Sequence, residues 1–205
     1  MLQDLQAAAT ELAVDISHCE QDLLRYLALL EKWNKAFNLT AIRQPKEMLI
    51  KHIFDSLAVA PYITEQRFID VGTGAGLPGV VLALCFPEKQ FDLLDSNGKK
   101  TRFLNQVKQE LALTNIGVHQ ARVEQFEAEE LYDGVLSRAF ATLADMVNGS
   151  QHLLKPEGKC LAMKGLEPSS ELSDLPKPFI LAHCHRLLVP QLNEERHLVV
   201  LQREA

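Results

Sequence analysis

The segment Phe68-Ile69-Asp70-Val71-Gly72-Thr73-Gly74-Ala75-Gly76-Leu77-Pro78-Gly79 constrains this chain more than any other. An apolar run ends in an acid, turns through three alternating glycines and opens into a helix. A second apolar run, Phe91-Asp92-Leu93-Leu94-Asp95, ends in another acid about twenty residues on, the spacing of a nucleotide-binding βαβ unit. Glycine has no Cβ, so the turn can take positive φ and let a ligand lie against bare backbone. The start of the following helix offers N–H groups without intrahelical acceptors. The carboxylate of Asp95 is placed to accept hydrogen bonds from both hydroxyls of a ribose. Together these parts describe a site for a nucleoside-bearing cofactor.

Two cofactor classes fit, beside a purely structural turn. Gly74-Ala75-Gly76-Leu77-Pro78-Gly79 satisfies the Gly-x-Gly-x-x-Gly string of nicotinamide dinucleotides, and Asp70 to Gly76 satisfies the acid-x-Gly-x-Gly-x-Gly string of S-adenosylmethionine (SAM) sites. Register separates them. In the dinucleotide fingerprint the first glycine follows the strand directly, because pyrophosphate sits on the helix N-terminus. Here Gly74 is the second glycine, and Asp70 brings negative charge to that place. A carboxylate suits a sulfonium cofactor with a free ammonium group better, so SAM is the favoured ligand, contacted by Asp70, Gly72, Gly74, Gly76 and Asp95.

Hydrophobic spacing assigns the rest of the chain. Residues 1–62 read as a helical extension, with Leu23, Leu24, Leu27 and Leu30 at helical spacing and a second helix over 46–60 ended by Pro61. From 63 to 205 strands alternate with helices. Strands are expected at 68–72, 90–95, 116–120, 133–138, 159–164, 179–189 and 196–203. Helices are expected at 77–86, 99–112 and 142–154, with a short one near 123–128 and a turn at 155–158. The alternation demands crossover connections and hence a parallel α/β sheet. The last two strands lack a helix between them, which makes the final one antiparallel. A seven-stranded sheet ending this way resembles the Rossmann-like SAM-dependent methyltransferase fold.

At 205 residues the chain can bury a full core. It shows neither a membrane-length apolar run nor a signal-peptide pattern, so a cytoplasmic protein without membrane attachment is expected. Cys19, Cys85, Cys160 and Cys184 are scattered through apolar surroundings and read as reduced core residues. His183 and His185 are too few for a zinc site, and no metal is expected. The net charge of −6 argues against indiscriminate nucleic-acid binding. Bases nevertheless gather at Lys32, Lys35, Arg43, Lys46 and Lys51, and again at Lys99, Lys100, Arg102 and Lys108. These are the patches for an RNA partner, with Lys35 and Lys100 as candidate substrate contacts.

The methyl acceptor is ranked by what the sequence lacks. Exocyclic amines call for an Asp/Asn-Pro-Pro-aromatic loop after the fourth strand, where this chain has Ser137-Arg138-Ala139-Phe140. Cytosine C5 needs a cysteine nucleophile, usually beside proline. A ribose hydroxyl needs a base; Lys164 could serve but lacks its expected aspartate partner. An acceptor that is already nucleophilic, such as guanine N7, needs positioning and charge stabilisation only. Arg138 could meet guanine O6 or support the cofactor, and Lys164 faces the substrate; these two are the candidate catalytic residues.

Trp33-Asn34-Lys35-Ala36-Phe37-Asn38-Leu39-Thr40, His52-Ile53-Phe54-Asp55-Ser56, the glycine turn and Ser137-Arg138-Ala139 together resemble the bacterial small-subunit rRNA guanine-N7 methyltransferases, the G-type family once called glucose-inhibited division protein B. The resemblance spans essentially the whole chain. It implies transfer of a methyl group from SAM to N7 of guanine 527 in 16S rRNA, presented as free RNA or as the 30S subunit, by an enzyme expected to be monomeric. By position it adds Leu77, Val123, Glu124 and Arg138 to the cofactor contacts, and His52 and Asp55 to the substrate side. Ala75 stands where many members carry proline. The rival readings are an NAD(P)-dependent oxidoreductase and a non-catalytic RNA-docking module.

Overall fold

In the computed structural model, which describes residues 1–204, the strands are β1 (Arg67–Val71), β2 (Gln90–Asp95), β3 (Ile116–Gln120), β4 (Tyr132–Ser137), β5 (Leu154–Lys164), β6 (Phe179–Arg186) and β7 (His197–Arg203). They form one sheet in the order β3-β2-β1-β4-β5-β7-β6. The first five pair in parallel; β7 runs antiparallel between β5 and β6. The chain leaves β3 at one edge and re-enters beside β1 as β4. Crevices at the carboxyl ends of strands open at such a switch point, which places Gly72, after β1, opposite Arg138, after β4.

Side chains alternate across the strands, as period-two geometry requires. Phe68, Leu198 and Val200 face one apolar cluster, Ile69, Val71, Val199 and Leu201 the other. The first cluster takes in α5 (Gly79–Cys85), α6 (Gly98–Glu110) and the N-terminal helices α1 (Leu2–Glu11) and α2 (Glu20–Phe37). Residues 1–62 therefore share a core with the sheet. Trp33 is partly buried against this cluster, 5.6 Å from Phe103, whereas Phe37, 5.1 Å from Trp33, is exposed. The second cluster is covered by α7 (Leu143–Ser150).

Several boundaries differ from expectation. The helix expected over 46–60 is a composite of α3 (Pro45–Met48), a π-helical stretch (Leu49–Phe54) and α4 (Asp55–Leu57); Pro61 lies inside a closing 3-10 turn. Near 123–128 there is only one 3-10 turn, Val123–Gln125. The expected turn at 155–158 is absorbed into β5, which starts at Leu154. Tyr132 pairs with Leu154 and Gly134 with Lys159, so those four residues bulge out of register where Pro156 cannot donate to a ladder. Helix α7 stops at Ser150, four residues short of the expected end, where the Ser150 hydroxyl donates to the Met146 carbonyl. The final residue of the expected 63–205 domain, Ala205, lies outside the described residues.

Among the described residues no helix is long and apolar enough to cross a membrane, and no cluster of three His, Cys, Asp or Glu is placed to hold a metal. His183 and His185 stack on each other at 5.4 Å. His197 is buried, with Nδ1 3.2 Å from the Gly165 carbonyl.

Candidate active site

The glycine turn is built by backbone. Gly72 N–H and Thr73 N–H both donate to the Leu94 carbonyl, at 2.9 and 3.1 Å, so the turn folds back over the end of β2. Gly72 adopts φ +67°, and a Cβ there would lie 2.5 Å from Ala139 Cβ; the two loops touch, and only glycine fits. Gly76, at φ +98°, backs onto Val80 and Leu104 and serves packing, not the crevice. Gly74 N–H donates to Asp95 Oδ2 at 2.9 Å, and Asn97 N–H to Asp95 Oδ1 at 2.8 Å. With Lys100 Nζ 3.5 Å away, these bonds fix the carboxylate at the mouth of the crevice.

Three adjoining cavities line the carboxyl edge of the sheet. The first, about 320 Å³, is walled by Val71, Gly72, Asp95, Ser96, Lys100, Val123, Glu124, Ala139 and Phe140. The second, about 210 Å³, shares Gly72, Lys100 and Ala139 with it and adds Thr40, His52, Gly74, Leu77 and Arg138. The third, about 300 Å³, shares His52 and Arg138 with the second and adds Lys51, Asp55, Met163, Lys164, Glu194 and Arg196. One crevice thus runs from Glu124 to Arg196.

The crevice joins most of the expected site residues: Gly72, Gly74, Leu77, Asp95, Lys100, Val123, Glu124, Arg138, His52, Asp55 and Lys164. Three depart from expectation. Asp70 is fully buried and faces away from it: Oδ2 accepts from Thr73 Oγ at 2.7 Å and from Gly79 N–H at 2.8 Å. The amide expected to be open to a ligand is therefore taken by Asp70, which clamps the turn to α5. Burial pushes the Asp70 pKa up to about 6. Gly76 is structural, as described above. Lys35 is exposed on α2, pairs with Glu31 and lines none of the cavities; its helix neighbour Asn34 is the buried one.

Asn34 shapes the second cavity from behind. Its amide donates to the Ile42 carbonyl at 3.0 Å and accepts Thr40 N–H at 2.9 Å. That loop sets Thr40 Oγ 3.0 Å from His52 Nε2. Burial first, then the nearby Arg138 charge, drives the His52 pKa down to about 4, so the imidazole is neutral at neutral pH. Beside it, the 3%-exposed Asp55 binds two arginines, Arg138 at 2.9 Å and Arg196 at 3.1 Å. Burial raises the Asp55 pKa despite both cations. The π-helical stretch ending at Phe54 delivers His52 and Asp55 to one wall, a common use of π-helical turns. Lys164 Nζ is engaged by the Ala141 carbonyl at 2.8 Å and the Glu171 carboxylate at 3.1 Å. Lys51 comes from the first basic patch; residues not anticipated from sequence are Thr40, Glu194, Arg196 and Glu171.

A glycine-lined floor, a fixed acid at a strand end and a cationic far wall suit a nucleoside cofactor at one end and an anionic or electron-rich substrate at the other. A family model described as rRNA small subunit methyltransferase G matches residues 19–199. The "Ribosomal RNA small subunit methyltransferase G" of Marinomonas sp. (strain MWYL1) is 56% identical over 184 residues, covering 90% of this chain and 88% of its own. That of Hydrogenovibrio crunogenus is 58% identical over 181 residues, covering 88% and 84%. Among solved structures, TrmN from Thermus thermophilus aligns with a TM-score of 0.59 at 19% identity, over 73% of this chain and 48% of that one. M. jannaschii TYW2, solved in complex with AdoMet, aligns with a TM-score of 0.55 at 14% identity, over 71% and 73%. Likeness at such identities speaks for the fold alone. The family match favours the methyltransferase reading of the glycine turn over the nicotinamide one. The chain belongs to the rRNA small subunit methyltransferase G family.

Proposed function

We propose that this chain uses S-adenosylmethionine to methylate N7 of guanine 527 in 16S rRNA. The observation that carries the cofactor reading is the open backbone of Gly74 beside Asp95: a Cβ there would meet nothing nearer than Lys100 Nζ at 3.8 Å, so a nucleoside can lie on backbone next to a carboxylate. Asp95 would take the ribose hydroxyls, and Val123 and Glu124 the adenine edge. Gly72, Gly74 and Leu77 would line the path toward Arg138. The chemistry such a donor supplies is an electrophilic methyl group on a sulfonium, which calls for an acceptor with a free lone pair.

The residues at the far end of the crevice favour an acceptor that needs no deprotonation. Lys164 is tied into an ion pair, and both His52 nitrogens are engaged, Nε2 by the Thr40 hydroxyl and Nδ1 by the Lys51 carbonyl. Arg138, held by Asp55, presents a fixed guanidinium suited to guanine O6. Lys51, Arg138 and Arg196, paired with Asp55 and Glu194, leave this wall with a modest excess of positive charge that suits RNA phosphates. Structured RNA recognised by shape agrees with the net charge of −6.

The test is transfer of label from SAM to 16S rRNA and to 30S subunits stripped of the modification, followed by mapping of 7-methylguanosine. Label at guanine 527 that disappears with Asp95→Ala is expected. Label at another atom or position would overturn the acceptor assignment; a wild-type chain that binds neither SAM nor its demethylated product would overturn the cofactor.

A further inference from the structure

The loop after β4 brings Arg138, Ala139 and Phe140 to the crevice, yet between Ser137 and Leu143 it belongs to no helix or strand. Asp55 holds Arg138 and Ser137 Oγ holds the Ala139 amide; the stretch beyond them, 140–143, is fastened by the connection between β5 and β6. The connection between β5 and β6 contains a 3-10 turn, Ser169–Asp174, which carries Glu171. Glu171 Oε2 accepts Leu143 N–H, the first amide of α7, at 2.6 Å. The same carboxylate meets Lys164 Nζ at 3.1 Å through both oxygens, and Lys164 Nζ donates onward to the Ala141 carbonyl at 2.8 Å. Loop, helix start and strand end are thereby tied at one point.

We propose that Glu171 is a positioning residue, latching the second half of the post-β4 loop through Lys164 and the Leu143 amide so that Phe140 stands in the crevice. The inference rests on the reading of that crevice as the cofactor site. Glu171 lines none of the three cavities, so it acts on a ligand only through the loop. The latch differs from a surface ion pair. Its side chains are 13% and 25% exposed, whereas Lys35 and Glu31 on α2 are 74% and 33% exposed. Shielding strengthens the charge-assisted bonds. Without Glu171, Lys164 keeps only the Ala141 carbonyl, and the Leu143 amide loses its acceptor. Thr142 still caps α7 by accepting Asp145 N–H at 3.0 Å, and Asp55 and Ser137 still hold Arg138 and Ala139, so the helix survives while the stretch between them loosens.

The experiment compares the full-length wild-type chain with Glu171→Ala and Glu171→Gln. It reads calorimetric affinity for S-adenosylhomocysteine, amide exchange over 139–143, and urea unfolding to establish that each variant folds. Glu171→Ala is expected to weaken the affinity about tenfold, the scale of one charge-assisted hydrogen bond, and to speed exchange over 139–143. Glu171→Gln keeps an acceptor for Leu143 without the charge, and is expected to fall between wild type and Ala in both readouts. Unchanged affinity in Glu171→Ala, or weaker affinity with unchanged exchange over 139–143, overturns the latch while leaving the cofactor reading intact. A wild-type chain that gives no heat with S-adenosylhomocysteine overturns the cofactor reading and, with it, this inference.

Discussion

Asp55 Oδ2 accepts a hydrogen bond from Arg138 at 2.9 Å, while its other oxygen accepts one from Arg196 at 3.1 Å. One buried carboxylate thereby joins the loop after β4 to the segment leading into β7. Removing it leaves Arg138, 28% exposed, without its counter-charge, and leaves Arg196, 21% exposed, with Glu194 alone. Asp55→Ala is expected to cost about 2 kcal/mol, since it removes two charge-assisted hydrogen bonds and leaves Arg138 without its partner. Arg196→Ala should cost about 1 kcal/mol, because the carboxylate keeps Arg138. Urea unfolding of the two variants and their double mutant checks this. Equal single losses, or strict additivity in the double mutant, would show that Asp55 is not the hub.

His52 predicts an acid-labile fold. Its ordinary pKa of 6.5 is depressed to about 4 in the folded chain. Above 6.5 the imidazole is neutral folded or unfolded, and its contribution is complete. As pH falls from 6.5 to 4 the unfolded chain takes a proton that the folded chain refuses, and up to about 3 kcal/mol is lost. Asp70 works in the opposite sense: its pKa is raised from 3.8 to about 6, so its contribution is complete below 3.8 and lost as pH rises through 6. The comparison with His52→Gln cancels Asp70, which both proteins carry. The stability of wild type relative to His52→Gln should therefore drop between pH 7 and pH 4. A difference that stays flat over that range contradicts the buried neutral imidazole.

The glycine turn and Asp95 were legible because both sit at strand ends, where register along a few residues fixes what faces the crevice. Arg138 was legible for the same reason, following β4. Asp70 shows the limit of that logic. An acid ending a strand reads the same whether it faces a ligand or the next helix, and here Thr73 Oγ and the Gly79 amide claimed it. Helical phase sets Lys35 apart from the crevice: it neighbours Asn34 in sequence, but one helical step of about 100° turns it to solvent. Arg196 had no local signal, since 141 residues separate it from Asp55 and it sits in an irregular segment. Its clue was charge immediately ahead of the apolar run starting at His197. Glu171 was hidden in the same way, in a Pro/Ser-rich stretch with no periodicity.

Gly72 is the position where backbone and packing demand the same residue. A methyl group there meets a φ of +67° and lies 2.5 Å from Ala139 Cβ. Gly72→Ala should destabilise the chain by about 2 kcal/mol, part backbone strain and part overpacking. Pairing it with Ala139→Gly removes the collision and leaves the strain, so the double variant should recover a portion of the loss. The same pushing apart of the two loops should reduce S-adenosylhomocysteine affinity more than tenfold, about 1.4 kcal/mol. Thermal melts and calorimetry on both variants test the division; full recovery in the double variant would remove the backbone-strain component.

Tyr26 links the N-terminal helices to the cofactor turn. It is fully buried on α2, its ring tilted 6.4 Å from Phe103, and its hydroxyl donates to the Ala75 carbonyl at 2.7 Å. Burial raises the phenol pKa, so the group remains a donor throughout the working range. Tyr26→Phe keeps the ring and leaves the 4%-exposed Ala75 without its side-chain hydrogen bond, at a cost of about 1–2 kcal/mol. Ala75 lies between the glycines at φ +62° and +98°, so the loss falls on the glycine turn itself. The variant should therefore bind S-adenosylhomocysteine about fivefold more weakly, within the same 1–2 kcal/mol, while its turnover at saturating SAM stays near wild type. A melting temperature and an affinity both equal to wild type would show that the turn holds its shape without α2.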